Sequence, residues 1–290
     1  MGKKFTRREF IKLLLTACLN SILLGIGGAG YGMLVEPGLF KVETVRLKLK
    51  RLSKVLSGIR IAQLSDIHMG GWMNLERFKK VTTLLLAEKP DLLLITGDFI
   101  VGHGFNESSK QAIEDLIEVL SPVAQSIPTF AVLGNHDYWT DAKVVRNMLE
   151  TCGIMDLTNT TFRFSRDGAS LYLCGVDDVW EGDVHLDDVT AKLVDDSPAI
   201  LLAHEPDFAD TSAATGKFDL QISGHTHGGQ IVLPFWGPPV LPYLGWKYPS
   251  GLYQVSGMYQ YTNRGVGVGR IPVRLNCPPE ITIFTLSGEA

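Results

Sequence analysis

Short apolar runs recur along this chain at 59–64, 92–95, 130–133, 200–202 and 220–222, each too short for a helix of ordinary length and typical of buried strands. Between the first of them lie stretches whose apolar residues recur three and four positions apart, at 75–87, 110–120 and 141–152, and these predict amphipathic helices. The later stretches 162–176 and 254–286 read as strands punctuated by Gly and Pro. Alternating β and α, then mostly β, predicts an α/β (α+β) chain in which two packed sheets are flanked by helices. About 235 residues follow Leu56, enough for one domain with a sizeable core, and no internal repeat or low-complexity linker interrupts them.

The N-terminus has a different pattern. Residues 13–35 carry no charge, and before them stands Thr6-Arg7-Arg8-Glu9-Phe10-Ile11-Lys12, which resembles a twin-arginine export signal. The alternative is an ordinary signal anchor with two incidental arginines. Such a stretch is long enough to span a bilayer core, which needs about 20 residues, but the half holding Gly25, Gly27, Gly28, Gly30 and Gly32 is weakly hydrophobic. No Ala-x-Ala cleavage site is present; Leu15-Thr16-Ala17-Cys18 looks like a lipoprotein box, yet the apolar run continues past Cys18. Lys3, Lys4, Arg7, Arg8 and Lys12 would hold the N-terminus in the cytoplasm. The expected organisation is a twin-arginine-type signal or membrane anchor at 1–36, a basic lead-in strand at 37–58 and a catalytic domain at 59–290. That domain is expected at the cell membrane, outside the cytoplasm, after passage through the twin-arginine export machinery.

Charge sharpens this division. Residues 1–60 hold 12 of the 27 Lys and Arg but 3 of the 31 Asp and Glu, so the remainder is acidic, which argues against nucleic acid as a partner. Arg46, Lys48, Lys50, Arg51 and Lys54 partly alternate with Val45, Leu47, Leu49 and Leu52, a strand with one wet face. That face is either simply solvated or in contact with the anionic headgroups of a membrane surface. Four cysteines give neither a metal spacing nor a disulfide framework.

The chemistry sits where the apolar runs end. Asp66 and His68 lie in Ser-Asp-Ile-His, Asp98 in Thr-Gly-Asp, Asn135 in Gly-Asn-His-Asp, His204 in Leu-Ala-His-Glu, and His225 and His227 in Gly-His-Thr-His-Gly-Gly. Carboxylate, imidazole and amide oxygen suit Mn, Fe or Zn, and thiolate is absent from the set. A carboxylate such as Asp98 can bridge two ions, and ions roughly 3.5–4 Å apart can clamp both the attacking and the leaving oxygen of a phosphate ester. One metal would not need so many ligands. His103 and His185 fall outside the set and read as structural.

These motifs, in this order, resemble the calcineurin-like metallophosphoesterase superfamily from about Ile59 to the end of the chain. The resemblance implies a four-layer αββα sandwich and two divalent metal ions. One ion would be held by Asp66, His68, Asp98 and His227, the other by Asp98, Asn135, His204 and His225. It also implies that His136 lies beside the scissile phosphate, as the group that stabilises the transition state or protonates the leaving oxygen, with Asp137 orienting its ring. The stretches Asn263-Arg264-Gly265-Val266-Gly267 and Leu275-Asn276-Cys277-Pro278-Pro279-Glu280-Ile281 are similar to the exported or membrane-associated bacterial branch of YkuE/YaeI-type phosphodiesterases, related to UDP-2,3-diacylglucosamine pyrophosphatases. The expected activity is hydrolysis of a phosphodiester or pyrophosphate, possibly lipid-linked, by a metal-bridging hydroxide. A broad phosphomonoesterase or nucleotide phosphodiesterase, and a non-catalytic membrane-bound module, are the alternatives.

Two further features bear on substrate. Pro234-Phe235-Trp236-Gly237-Pro238-Pro239 and Pro242-Tyr243-Leu244-Gly245-Trp246-Lys247-Tyr248-Pro249 follow the last ligands, and read either as a cover on the sheet edge or as an aromatic rim for an apolar substrate portion or membrane boundary. Arg264, between Asn263 and Gly265, offers a planar fork for a phosphate; the alternative is a structural pair with a carboxylate.

Overall fold

The computed structural model describes residues 6–269 and 271–288. Lys3 and Lys4 lie outside the described residues, as does the side chain of Cys18 in the lipoprotein-like box. The helices are α1 (Arg7–Leu34), α2 (Leu75–Ala87), α3 (Glu107–Ser126), α4 (Asn135–Thr140), α5 (Ala142–Cys152), α6 (Leu186–Ala191) and α7 (Ala209–Ala214). The strands are β1 (Lys41–Lys48), β2 (Arg60–Leu64), β3 (Leu92–Thr96), β4 (Thr129–Val132), β5 (Met155–Asp156), β6 (Thr160–Arg166), β7 (Ala169–Gly175), β8 (Ala199–Leu202), β9 (Leu220–Ser223), β10 (Gly251–Val255), β11 (Met258–Thr262) and β12 (Glu280–Ser287).

They form two six-stranded mixed sheets, in the orders β1-β12-β2-β3-β4-β5 and β10-β11-β9-β8-β7-β6. In the first, β2 to β5 run parallel, and the last strand of the chain, β12, lies between β1 (parallel) and β2 (antiparallel). The basic lead-in is therefore the edge of this sheet, in register from Lys41 opposite Glu280 to Lys48 opposite Ser287.

Side-chain alternation builds the layers. On β3, Leu92 and Leu94 face the second sheet, where they meet Leu173, Ile200, Leu202 and Ile222, while Leu93 and Ile95 face helices α2, α3 and α5 through Phe78, Leu116 and Leu149. Buried on both faces, β3 reads in sequence as an unbroken apolar run. The outer face of the second sheet, with Tyr172, Cys174 and Leu201, packs on Val189 of α6 and Ala209 and Ala213 of α7. The result is the four-layer sandwich.

The helical pattern at 75–87 coincides with α2. That at 110–120 extends in both directions, because Asn106 caps the amides of Ser108 and Ser109 and the helix continues through Pro122 to bury Val123. At the N-terminus, Thr6 and Glu9 form a capping box that starts α1. Among the described residues no helix is long and apolar enough to cross a membrane.

Candidate metal centre

The parallel strands of both sheets deliver their C-terminal ends to one edge. Beyond β2 come Asp66 and His68, beyond β3 Asp98, and beyond β4 Asn135, the first residue of α4; the second sheet contributes His204 beyond β8 and His225 and His227 beyond β9. Crevices at the carboxyl ends of strands are where α/β sheets place ligands.

Five of these seven residues have left-handed backbone: Asp66 (φ 52°), His68 (50°), Asp98 (57°), His225 (70°) and His227 (50°). Residues other than glycine reach this region at a cost, which persists only where surrounding contacts over-determine it. Here the Asp66 amide donates to the Gly97 carbonyl and the His68 amide to that of Asp98, both at 3.0 Å. The His225 amide donates to the Asp66 carboxylate at 3.1 Å, and the His136 amide to Asp98 Oδ1 at 2.9 Å. Gly134 and Gly224 are needed for close approach: a Cβ would run into Asp98 at the first and into Ser65 and Asp66 at the second.

The side chains converge. His68 Nε2 is 3.0 Å from His227 Nε2, and His227 Nε2 is 3.4 Å from Asp66 Oδ1. Asp98 Oδ2 lies between two imidazoles, 3.4 Å from His68 Nε2 and 3.3 Å from His204 Nε2. Three groups, Asp66/His68/His227, Asp66/Asp98/His204 and His68/Asp98/His136, each hold their ligand atoms within 4.8 Å of one another. His225 stands outside these groups; its Nε2 donates to the Tyr243 carbonyl at 2.7 Å, which leaves the lone pair on Nδ1, and its ring sits edge-on to His204 at 5.0 Å.

The donor set fits divalent metal. His204 Nδ1 donates to the Thr96 carbonyl at 2.6 Å, which leaves Nε2 as the ring atom facing the cluster; Nε2 and the Asn135 side-chain oxygen are both buried without a hydrogen-bond partner. Orphaned buried acceptors are costly, and a cation satisfies them. The buried charges interact strongly: Asp98, Asp66 and Glu205 hold the His204 imidazole well above its ordinary value despite its burial. Burial pushes the Asp66 carboxyl up to about 7 and the His68 imidazole down to about 3. Burial alone would also raise Asp98, but His204 and His136 hold its carboxyl well below the ordinary value. Burial pushes His136 down as well, which favours a neutral ring.

One cavity of about 540 Å³ opens over this edge. Asp98, Asn135, His136, His225 and His227 line its floor, and Trp139 and Trp180 one wall. The other wall is apolar, built from Ile231, Val240, Leu241, Ile271 and Val273. Trp139 makes edge contact with His136 (4.7 Å) and with Trp180 (5.2 Å). The aromatic stretch after the last ligands is largely in solvent: Phe235 and Trp236 are wholly or mostly exposed, and Tyr243 and Trp246 more than half.

Asp137 and Arg264 have partners of their own in this structure. Asp137 does not reach the His136 ring; its carboxylate accepts the amides of Asp98, Phe99 and Gly134 at 2.9 Å and of Ile100 at 3.4 Å, so it shapes the loop that carries Asp98. Arg264 is not among the cavity-lining residues. Its guanidinium pairs with Glu43 of β1 (2.8 Å) and Glu280 of β12 (2.9 Å), the structural alternative to phosphate contact. Two further groups had no sequence signal. Arg274, wholly buried, reaches within 3.5 Å of His227 Nδ1. Asp178 and Glu205 leave facing oxygens without hydrogen-bond partners behind His204, and burial and Glu205 push Asp178 up to about 9.

Comparison with known proteins agrees with this geometry. Residues 59–229 match the model of the family described as calcineurin-like phosphoesterase. The chain is 34% identical over 286 residues to the metallophosphoesterase YkuE of Bacillus subtilis, covering 98% of each. It is 31% identical to the phosphodiesterase YaeI of Escherichia coli, covering 97% of this chain and 99% of that one. It is also 30% identical to a transmembrane protein with metallophosphoesterase domain from Danio rerio, over 97% of this chain and 63% of that one.

Proposed function

Because the chain belongs to the calcineurin-like phosphoesterase family and is a metal-dependent phosphoester hydrolase, we propose that it cleaves a phosphodiester or pyrophosphate joined to an apolar group, and that two divalent ions, Mn, Fe or Zn, serve the reaction. The observation that carries this reading is a cavity lined both by Asp98, Asn135, His225 and His227 of the ligand set and by the apolar Val240, Leu241, Ile271 and Val273. Bound there, the ions would supply an activated water and neutralise charge on the phosphoryl oxygens. Asp66, His68, Asp98 and His227 would hold one, and Asp98, Asn135, His204 and His225 the other.

The protein's own groups do the rest. His136, at the cavity floor and fixed through its backbone by Asp98 Oδ1, presents a ring whose N–H can donate to a phosphoryl or leaving oxygen. Trp139 holds that ring from the side. Val240, Leu241, Ile271 and Val273 offer a surface on which an acyl or prenyl portion of a lipid-linked substrate loses water contact, at roughly 25 cal/mol per Å². The test is paired turnover by the Mn-loaded full-length chain: a short-chain chromogenic diester against one with a long acyl group. A kcat/KM that does not rise with chain length would remove the lipid-linked reading, and absence of Mn-dependent turnover on either would remove the hydrolase reading.

The place of action belongs to the same proposal: outside the cytoplasm, at the membrane surface, reached through the twin-arginine machinery. Thr6-Arg7-Arg8 and the exposed Phe235 and Trp236 support it. Changing Arg7 and Arg8 together to Lys preserves charge, so only a receptor that reads guanidinium responds. Retention of the double-Lys precursor in the cytoplasm is expected, and normal export would return the segment to an ordinary anchor.

A further inference from the structure

The end of α1 is built into the catalytic domain. The Gly32 carbonyl accepts the Arg274 amide at 2.8 Å, and a side chain at Gly32 would press on Val273 and the Arg274 carbonyl. Four residues on, Glu36 is 3% exposed, and both its carboxylate oxygens are used: Oε1 accepts the Cys277 amide at 2.6 Å and Oε2 the Asn276 amide at 3.1 Å. A buried carboxylate is tolerated only when it is satisfied in this way, and export of the chain gives no reason to place one here.

The loop that Glu36 holds leads directly to the ligands. Cys277 Sγ donates to the His227 carbonyl at 3.2 Å. The Arg274 guanidinium donates to the carbonyls of Arg264 (2.7 Å), Gly265 (3.1 Å) and Gly267 (2.6 Å), and so braces the strap 264–267. That strap in turn backs the first ligand turn, with the Val266 amide on the Ser65 carbonyl at 3.0 Å and the Gly267 amide on that of Asp66 at 2.8 Å. His227 and Asp66 both sit at left-handed φ, where only such bracing keeps them.

We propose that Glu36 is a positioning residue of the metal centre, tying the end of α1 to the loop behind His227 and Asp66, so that the segment from Gly32 onward is a working part of the mature enzyme. This rests on the metal-binding reading above. Partners outside the ligand set set ligand orientation and are worth about 10–100-fold in metal affinity. In full-length Glu36→Ala, equilibrium dialysis with Mn should show the ion on Asp66 and His227 held about 10–100-fold more weakly, with the other near the wild-type value. Glu36→Gln, which keeps one acceptor oxygen and the side chain's size, should show a smaller loss, and it decides the question if the alanine variant fails to fold. Wild-type affinity at both positions in the folded variant would overturn the proposal. A wild-type chain that binds no Mn would remove its premise instead. Mass spectrometry of the active, processed protein should find its first residue at or before Gly32; an active form beginning beyond Glu36 would equally overturn it.

Discussion

The floor and the apolar wall of the cavity are built on opposite rules. On the floor every ligand follows a buried strand, and the backbone is left-handed at five positions, four of which (Asp66, His68, Asp98 and His227) belong to the triads whose ligand atoms lie within 4.8 Å of one another. The wall has no regular strand; Ile231, Val240, Leu241, Ile271 and Val273 come from irregular segments at 231–242 and 271–273, and Val240 and Ile271 are 71% and 61% exposed. A floor of this kind does one chemistry with tight geometric tolerance. A wall of this kind can change side chain without disturbing the fold, and so is free to set which phosphoester is taken.

If the two parts are as separate as this, substitutions should divide cleanly. Asp98→Ala should have the largest effect, since that carboxylate lies between both halves of the floor: metal content measured by elemental analysis should collapse, with activity at background on any substrate. His136→Ala should keep its metal and lose rate by roughly 10² to 10⁴; metal loss in that variant would place His136 among the ligands. Leu241→Ala should leave turnover of a short diester unchanged and lower kcat/KM for an acyl-bearing one by about 10–100-fold, the worth of about 1–3 kcal/mol of pocket contact. Equal loss on both substrates would show that the wall supports the floor after all.

The smallest expected effect lies beneath the floor. Asp178 keeps its proton up to about pH 9 in the folded chain, whereas the unfolded carboxyl loses it near 4, so the unfolded state binds fewer protons between those values. With metals removed by chelation, thermal stability should therefore fall as pH rises through that window. Asp178→Asn, neutral throughout, should flatten this slope while changing stability near pH 5 by about 1 kcal/mol. An unchanged slope would show that the pair with Glu205 does not hold the proton.

The same contrast explains what was legible in the sequence. Asp66, His68, Asp98, Asn135, His204, His225 and His227 announce themselves because each follows an apolar run and glycines adjoin most of the motifs, and the fold's parallel strands bring their ends to one edge. The helical period at 75–87 is visible because α2 packs on one face only. Asp137 was misread because its acceptors' partners, the amides of 98–100, lie 37 to 39 residues away. Arg264 stood open between a phosphate contact and a carboxylate pair because Glu43, its partner on β1, is 221 positions distant. Glu36 and Arg274 left no trace, since a buried charge in a loop has no period and its compensation is wholly tertiary. The apolar wall is a juxtaposition of two loops, and no local pattern encodes it.

The placement of β12 has a consequence for how the chain is made. β12, which follows every other described strand in the chain, is not an edge but lies second in its sheet, hydrogen-bonded to β1 on one side and β2 on the other. Until residues 280–287 are synthesised, β1 has no strand to pair with and β2, the strand that leads to Asp66 and His68, has an open flank. The first sheet closes like a clasp, and only after residues 280–287 appear. A transport route that carries finished proteins would receive this one whole, whereas a route that threads the chain as it grows would always find it unfastened.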